Sequence, residues 1–234
     1  MNWYLTTLVL YRDDQLGTEW SVQLCHYLVT ADDHDRAYER AISLGNALSK
    51  QNLRFAGVSD LLQVYDAPED SSELQWSQIE IAAAELENEV LQKEQMQAFQ
   101  RGRRASPSGW YIGDVVLYEV HDEGSHGEKL LVWINSYLIR TKDPETAYAK
   151  AMQIGKGQED EPGSHTCDGE RAHWRFKGLR DIVPVREAPA DGALLWCDDV
   201  EAGTELQRMV PERSELGVFR WQAEQLRQRS GRSG

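Results

Sequence analysis

The chain repeats itself. Trp3-Tyr4 and Val9-Leu10-Tyr11 return as Trp110-Tyr111 and Val116-Leu117-Tyr118. Val22 and Tyr27-Leu28 return as Val132 and Tyr137-Leu138, and Asp33, Ala37-Tyr38, Ala41 and Gly45 as Asp143, Ala147-Tyr148, Ala151 and Gly155. Arg54-Phe55, Gly57 and Asp60 recur as Arg175-Phe176, Gly178 and Asp181, and Trp76 matches Trp196. The order is kept, and the offset changes only where loops would fall. Self-similarity of this length marks a duplicated supersecondary unit and limits the fold more than any single motif.

Within each copy the periodicity is legible. Tyr4, Thr6, Leu8 and Leu10 alternate with Leu5, Thr7, Val9 and Tyr11, a β-rich run of strand length. The stretch from Asp13 to Gly17 carries turn chemistry. A second strand follows at Ser21–Val29, matched by Leu130–Ile139. Asp33 and Asp143 stand where an N-cap belongs, and Pro144 takes the first helical position. Ala37, Ala41, Leu44 and Leu48 then follow at helical spacing, and Gly45 and Gly155 fall near the helix ends. A third strand runs over Leu53–Tyr65 and His173–Val185, and a short closing strand lies around Trp76 and Trp196. Between the copies, Ser77–Gln100 is rich in Ala, Glu and Gln and lacks Gly and Pro, which predicts a connecting helix. The expected fold class is α+β: two repeated β-β-α-β(β) units, with antiparallel-rich sheets and helices on one face, joined by that helix. The expected boundaries are 1–80 for the first unit, 81–108 for the helix and its Arg101–Arg104 basic linker, 109–202 for the second unit, and 203–234 for a C-terminal helix with a frayed tail.

Composition narrows the partners. Lys and Arg number 25 against 39 Asp and Glu, a net charge of −14 that repels nucleic acid and anionic lipid and attracts basic proteins. No apolar run approaches the roughly 20 residues of a membrane span. Met1-Asn2-Trp3-Tyr4 does not open a signal peptide, and Cys25, Cys167 and Cys197 are too scattered for a disulfide framework, so a reducing cytoplasm is the expected compartment.

Chemistry-bearing constellations are sparse. His165, Cys167, His173 and Cys197 are zinc-type ligands, but their spacing fits no common zinc pattern and the first copy lacks counterparts, so no metal and no cofactor is expected. No Gly-x-Ser-x-Gly elbow or Cys–His arrangement supports a nucleophile, and no catalytic residue is assigned. Asp60 and Asp181 each follow Phe-x-Gly and precede an apolar pair, which predicts carboxylates that accept backbone hydrogen bonds at a bulge. The remaining acids suggest a binding rim beside the third and fourth strands of the two copies: Asp66, Glu69, Asp70 and Glu73 in the first, and Asp198, Asp199 and Glu201 in the second.

Trp110-Tyr111, the Ala147-to-Gly155 helix, Trp174-Arg175-Phe176-Lys177-Gly178-Leu179-Arg180-Asp181 and the Asp191-Gly192 turn resemble a bacterial family, domain of unknown function 4288. The resemblance covers about 109–202, and residues 2–80 look like a diverged copy whose segment from Gly45 to Phe55 is much shorter than that from Gly155 to Phe176. It implies no activity and no site residues. Three function classes follow. One is a non-catalytic protein-binding factor, such as an immunity or antitoxin-like protein occluding a basic partner (for example a nuclease). Another is a scaffold or regulatory subunit of a bacterial system such as antiviral defence. The third is an enzyme with a site between the two units.

Overall fold

The computed structural model describes residues 1–13, 20–50, 52–100, 105–121, 129–167, 170–200 and 206–221. They form two compact units, Met1–Tyr65 with Pro189–Gly234, and Asp66–Ala188. No helix among the described residues is long and apolar enough to cross a membrane.

The first unit holds strands β1 (Asn2–Asp13), β2 (Trp20–Ala31) and β3 (Arg54–Val64), helix α1 (His34–Leu48) and, from late in the chain, β9 (Leu194–Asp199). Its sheet runs β3-β1-β2-β9, antiparallel throughout. Asp33 caps α1 by accepting the Arg36 amide at 2.8 Å. Ala37, Ala41 and Gly45 are the residues α1 buries, and these small side chains let it sit close against Tyr4, Leu8, Tyr27 and Leu61.

The second unit holds β4 (Glu73–Ala82), β5 (Trp110–His121), β6 (Lys129–Arg140), helix α2 (Pro144–Gly157), β7 (His165–Cys167) and β8 (Glu170–Pro184). Its order is β4-β6-β5-β8-β7, again antiparallel. Asp143 caps α2 through the Thr146 amide at 2.8 Å, and Pro144 stands in the first turn. Ala147, Ala151 and Gly155 are buried against a core that includes Tyr111, Val115, Ile139 and Ile182.

The closing strands are exchanged. The strand around Trp76 leaves the residues that precede it and pairs with β6, while the strand around Trp196 pairs with β2. Alternation shows that a segment is a strand but not which sheet edge it joins, so the expected boundaries at 80 and 109 give way to the interleaved units. Two aspartate-bearing turns hold the exchange. Asp70 accepts the Arg140 amide at 2.8 Å and the Lys150 ammonium at 2.9 Å. Asp191 accepts the Thr30 amide at 2.8 Å and the Arg40 guanidinium at 2.6 Å.

The connecting helix is absent. Gln78, Ile79, Glu80 and Ile81 belong to the ladder of β4, where strand pairing overrides helix propensity. From Ala83 to Phe99 the chain advances in short 3-10 turns separated by extended residues such as Val90, Gln92 and Met96. Leu86, Met96 and Ala98 are buried, so tertiary contacts in place of a continuous helix order this segment. In the expected C-terminal region, 3-10 turns stand at Leu206–Met209 and Arg213–Glu215 and helix is present over 217–221; residues 222–234 and the Arg101–Arg104 linker lie outside the described residues.

Asp60 and Asp181 behave as their sequence context predicts. Both strands bulge there, and Asp60 accepts the amides of Leu61 at 2.8 Å and Gly217 at 3.0 Å. Asp181 accepts those of Ile182 and Gln97, both at 2.7 Å. Each carboxylate thus ties an irregular segment onto its own sheet.

Cys25 and Cys197 face each other across β2 and β9 with Cα atoms 4.1 Å apart and form a disulfide. Their separation in sequence concealed the pair. A lasting disulfide belongs to oxidising surroundings, so the cysteine-based ground for a reducing compartment is removed.

Candidate functional site

The acids singled out from the sequence divide between the units, and most of those described are engaged locally. In the first unit, Asp198 accepts His26 Nε2 at 3.1 Å and the Trp196 indole N–H at 3.0 Å. Burial works to raise its carboxyl, but the hydrogen bond and charge of His26, with the indole, outweigh it and leave Asp198 below the ordinary carboxylate range. His26 stacks on Trp196 at 3.9 Å with its Nδ1 3.0 Å from Thr7 Oγ1. The three side chains meet because Thr7, His26 and Trp196 are cross-strand partners in register. A hydroxyl, an imidazole and a carboxylate in line have the order of a nucleophile relay. Thr7, however, is only 8% exposed, and the chain of bonds orients the His26–Trp196 stack on the sheet face that β1, β2 and β9 share. Asp199 is exposed and accepts Gln23 Nε2 at 2.9 Å. Glu201 lies outside the described residues.

In the second unit, Asp66 and Glu69 are exposed on the turn before β4. Asp70 is held below the ordinary range: burial pushes upward, but the Arg140 amide and the Lys150 ammonium win. Glu73 accepts the Tyr137 hydroxyl at 3.0 Å, and its burial raises it. The same burial pushes the Tyr137 hydroxyl up to about 12. The turn and the first residue of β4 therefore gather Asp66, Glu69, Asp70 and Glu73, with Asp70 and Glu73 spent on internal bonds.

A second group escaped sequence reasoning. On the face of the second sheet that carries α2, Trp76, Trp133 and Trp174 form a row, with centroids 5.8 Å apart for the first pair and 4.3 Å for the second. His165 continues it, 5.7 Å from Trp174 and nearly parallel. Gln78 fixes Trp133 by accepting its indole N–H at 3.0 Å. Trp76 is 54% exposed, a large apolar side chain left open on the outer strand β4. The row lies where α2 stops. Gly155, in the last turn, packs on Phe176, which pairs with Leu117, and the next residues on that face of β5 are Glu119 and His121.

Beyond the helix end those two residues meet β7. Glu119 is 5% exposed, and its Oε1 lies 2.8 Å from His165 Nε2. Its Oε2 lies 3.7 Å from His121 Nε2, and His121 Nδ1 is 3.2 Å from Glu170. Donor atoms of Glu119, His121 and Cys167 all lie within 4.8 Å of one another. Of the four ligand types noted in the sequence, His165 and Cys167 come together here. Cys197 is taken by the disulfide, and His173 is buried on β8 between Ala172 and Trp174, facing the other side of the sheet. The register His121–Ala172–His165 across three strands was the missing signal, because the small Ala172 leaves room above it.

The family model described as Domain of unknown function (DUF4288) matches residues 110–197. That match begins with β5 and ends within β9, so it takes in the second unit's helix, Trp133 and Trp174 of the aromatic row and the Glu119 cluster, leaves out Trp76, and closes on a strand that pairs in the first unit. No curated protein and no solved structure matches the chain.

Proposed function

We propose that the chain is a tandem pair of related domains acting as a non-catalytic binding protein for a basic polypeptide, with the Trp76–Trp133–Trp174 row as its contact surface. Duplication is supported by paired local devices. The caps Asp33 and Asp143, the bulge carboxylates Asp60 and Asp181, and the clamps Arg40–Asp191 and Lys150–Asp70 are built alike. So are the cations Arg213, over Tyr38 and Phe219, and Lys93, over Tyr148 and Phe99.

The observation that carries the binding reading is a tryptophan row whose outer member, Trp76, is exposed, on a chain of net charge −14. Aromatic faces attract guanidinium and ammonium groups, and an acidic protein draws such partners to itself. Asp66 and Glu69 on the turn before β4, with Asp199 at the end of β9 and Glu201 two positions on in sequence, are the acids for encounter. An immunity or antitoxin-like role, occluding a basic enzyme such as a nuclease, is the form of this function that charge favours.

The test is titration of an arginine-rich peptide into the full chain, followed by tryptophan fluorescence. Saturable binding that weakens with salt is expected. Trp76→Ala should lower affinity about fivefold, the equivalent of one exposed cation–π contact. Equal binding of a neutral peptide, or an affinity indifferent to Trp76→Ala and to salt, overturns the proposal.

A further inference from the structure

We propose that Glu119, His121 and Cys167 form a binding site for a divalent transition-metal ion, zinc by its donor set, with His165 as the residue that positions Glu119. The argument starts from burial. The Glu119 side chain is only 6% exposed, and a carboxylate so enclosed needs a polar partner for each of its oxygens. Its neighbours are arranged as metal ligands are. His165 Nε2 engages Oε1 at 2.8 Å, which turns Oε2 toward His121. The gap from Oε2 to His121 Nε2, 3.7 Å, is too long for a hydrogen bond. It is close to the roughly 3.3–3.8 Å that separates two ligand atoms on one tetrahedral zinc ion.

The outer contacts fit the same reading. His121 directs Nε2 at the carboxylate and holds Nδ1 3.2 Å from Glu170 Oε2. A ligating imidazole almost always gives its second nitrogen to a carboxylate or carbonyl in this way, which fixes its orientation. The sulfur of Cys167 comes from β7, so an ion here would bridge β5 and the three-residue edge strand across β8. One nitrogen, one oxygen and one sulfur suit zinc and its neighbours better than calcium or magnesium, which prefer all-oxygen cages. Three protein ligands leave the fourth tetrahedral position to water. The site shares His165 with the end of the tryptophan row, but its donor set does not rest on what binds that row.

The experiment uses the full chain, stripped of metal with a chelator and kept in degassed buffer without thiols. Zinc is titrated by calorimetry, and cobalt(II) by absorption. Saturable uptake of a single ion is expected, with a near-ultraviolet thiolate-to-cobalt charge-transfer band that disappears in Cys167→Ser. His165→Ala should weaken zinc binding about tenfold to a hundredfold as an outer partner, and His121→Ala and Cys167→Ser should weaken it more. Cys167→Ser is nearly isosteric and sits on a short edge strand, so circular dichroism matching the parent chain separates ligand loss from misfolding. No saturable uptake, uptake unaltered by Cys167→Ser and His121→Ala, or a cobalt spectrum without the thiolate band overturns the proposal.

Discussion

The two units solve one problem, how to hold a strand that arrives from elsewhere in the chain, with different chemistry. In the first, β9 is bound to β2 by Cys25–Cys197 and by the His26–Asp198–Trp196 group, and Trp196 is 9% exposed. In the second, β4 sets Trp76 opposite Asn135 and leaves it open beside Trp133. The first arrangement closes an edge, whereas the second presents a surface. The same contrast holds at the other end of the helix-bearing face, because β7, which brings His165 and Cys167 to Glu119 and His121, lies in the longer segment between Gly155 and Phe176 of the second unit. The lesson is that matching caps, bulges and turns carry the architecture, while the differences concentrate at sheet edges.

The largest test of that contrast is reduction. Cys25 and Cys197 are 172 positions apart, so their bond constrains a long loop of the unfolded chain. Reduction, or Cys25→Ser, is expected to cost about 2–4 kcal/mol. The loss should appear in hydrogen exchange of β1 and β2 amides while those of β5 and β6 keep their protection. Equal loss in both units would break the distinction.

How far the sequence reached follows the same line. Asp33, Asp143, Asp60 and Asp181 were readable because caps and bulges are local: a short side chain answers backbone groups a few residues away. The exchange of β4 and β9 was not, since both strands present the same alternation to either sheet. Ser77–Gln100 misled because Ala, Glu and Gln favour a helix in isolation, whereas β6 offered an edge and Leu179 and Asp181 offered backbone and carboxylate partners. Glu119 went unnoticed among many acids, because only the pairing of β5, β8 and β7 places it beside His165 and Cys167.

A smaller effect should distinguish the helix seats. A Cβ on Gly113 would lie 2.9 Å from the Ala151 Cβ, which cannot turn aside without moving α2. In the first unit the residue opposite Tyr27 is Thr6, as Gly113 is opposite Tyr137, and Thr6 is fully buried. Gly113→Ala is expected to cost about 1–3 kcal/mol by overpacking. Thr6→Ala removes only a methyl and a hydroxyl, and about 1 kcal/mol is expected. Denaturant midpoints of the two variants check the order. A cost for Thr6→Ala equal to or above that of Gly113→Ala would show that the helices are not seated as described.

The smallest and most selective effect is acid. Asp198 titrates below its ordinary value of 3.8 in the folded chain, so its stabilising contribution is complete above that value and is lost as the pH falls through the lower folded one. Glu73 has the opposite sign. Burial raises it above its ordinary 4.5, so at neutral pH its ionised form weighs against folding, and that burden lifts as the pH falls through the raised value. As acid is added, it should therefore tighten the start of β4 first, beginning above pH 4.5, and loosen β9 afterwards, below pH 3.8. Asp198 is 45% exposed, and solvent screening keeps its share below about 1 kcal/mol. Asp70 and Asp191, both lowered, weaken the two turns together and do not blur the contrast. Exchange rates of β4 and β9 amides as the pH falls through both values provide the measurement. Glu73→Gln should remove the gain at β4 and Asp198→Asn the loss at β9. Parallel behaviour of the two strands in the parent chain would mean that their different partners do not set how they are held.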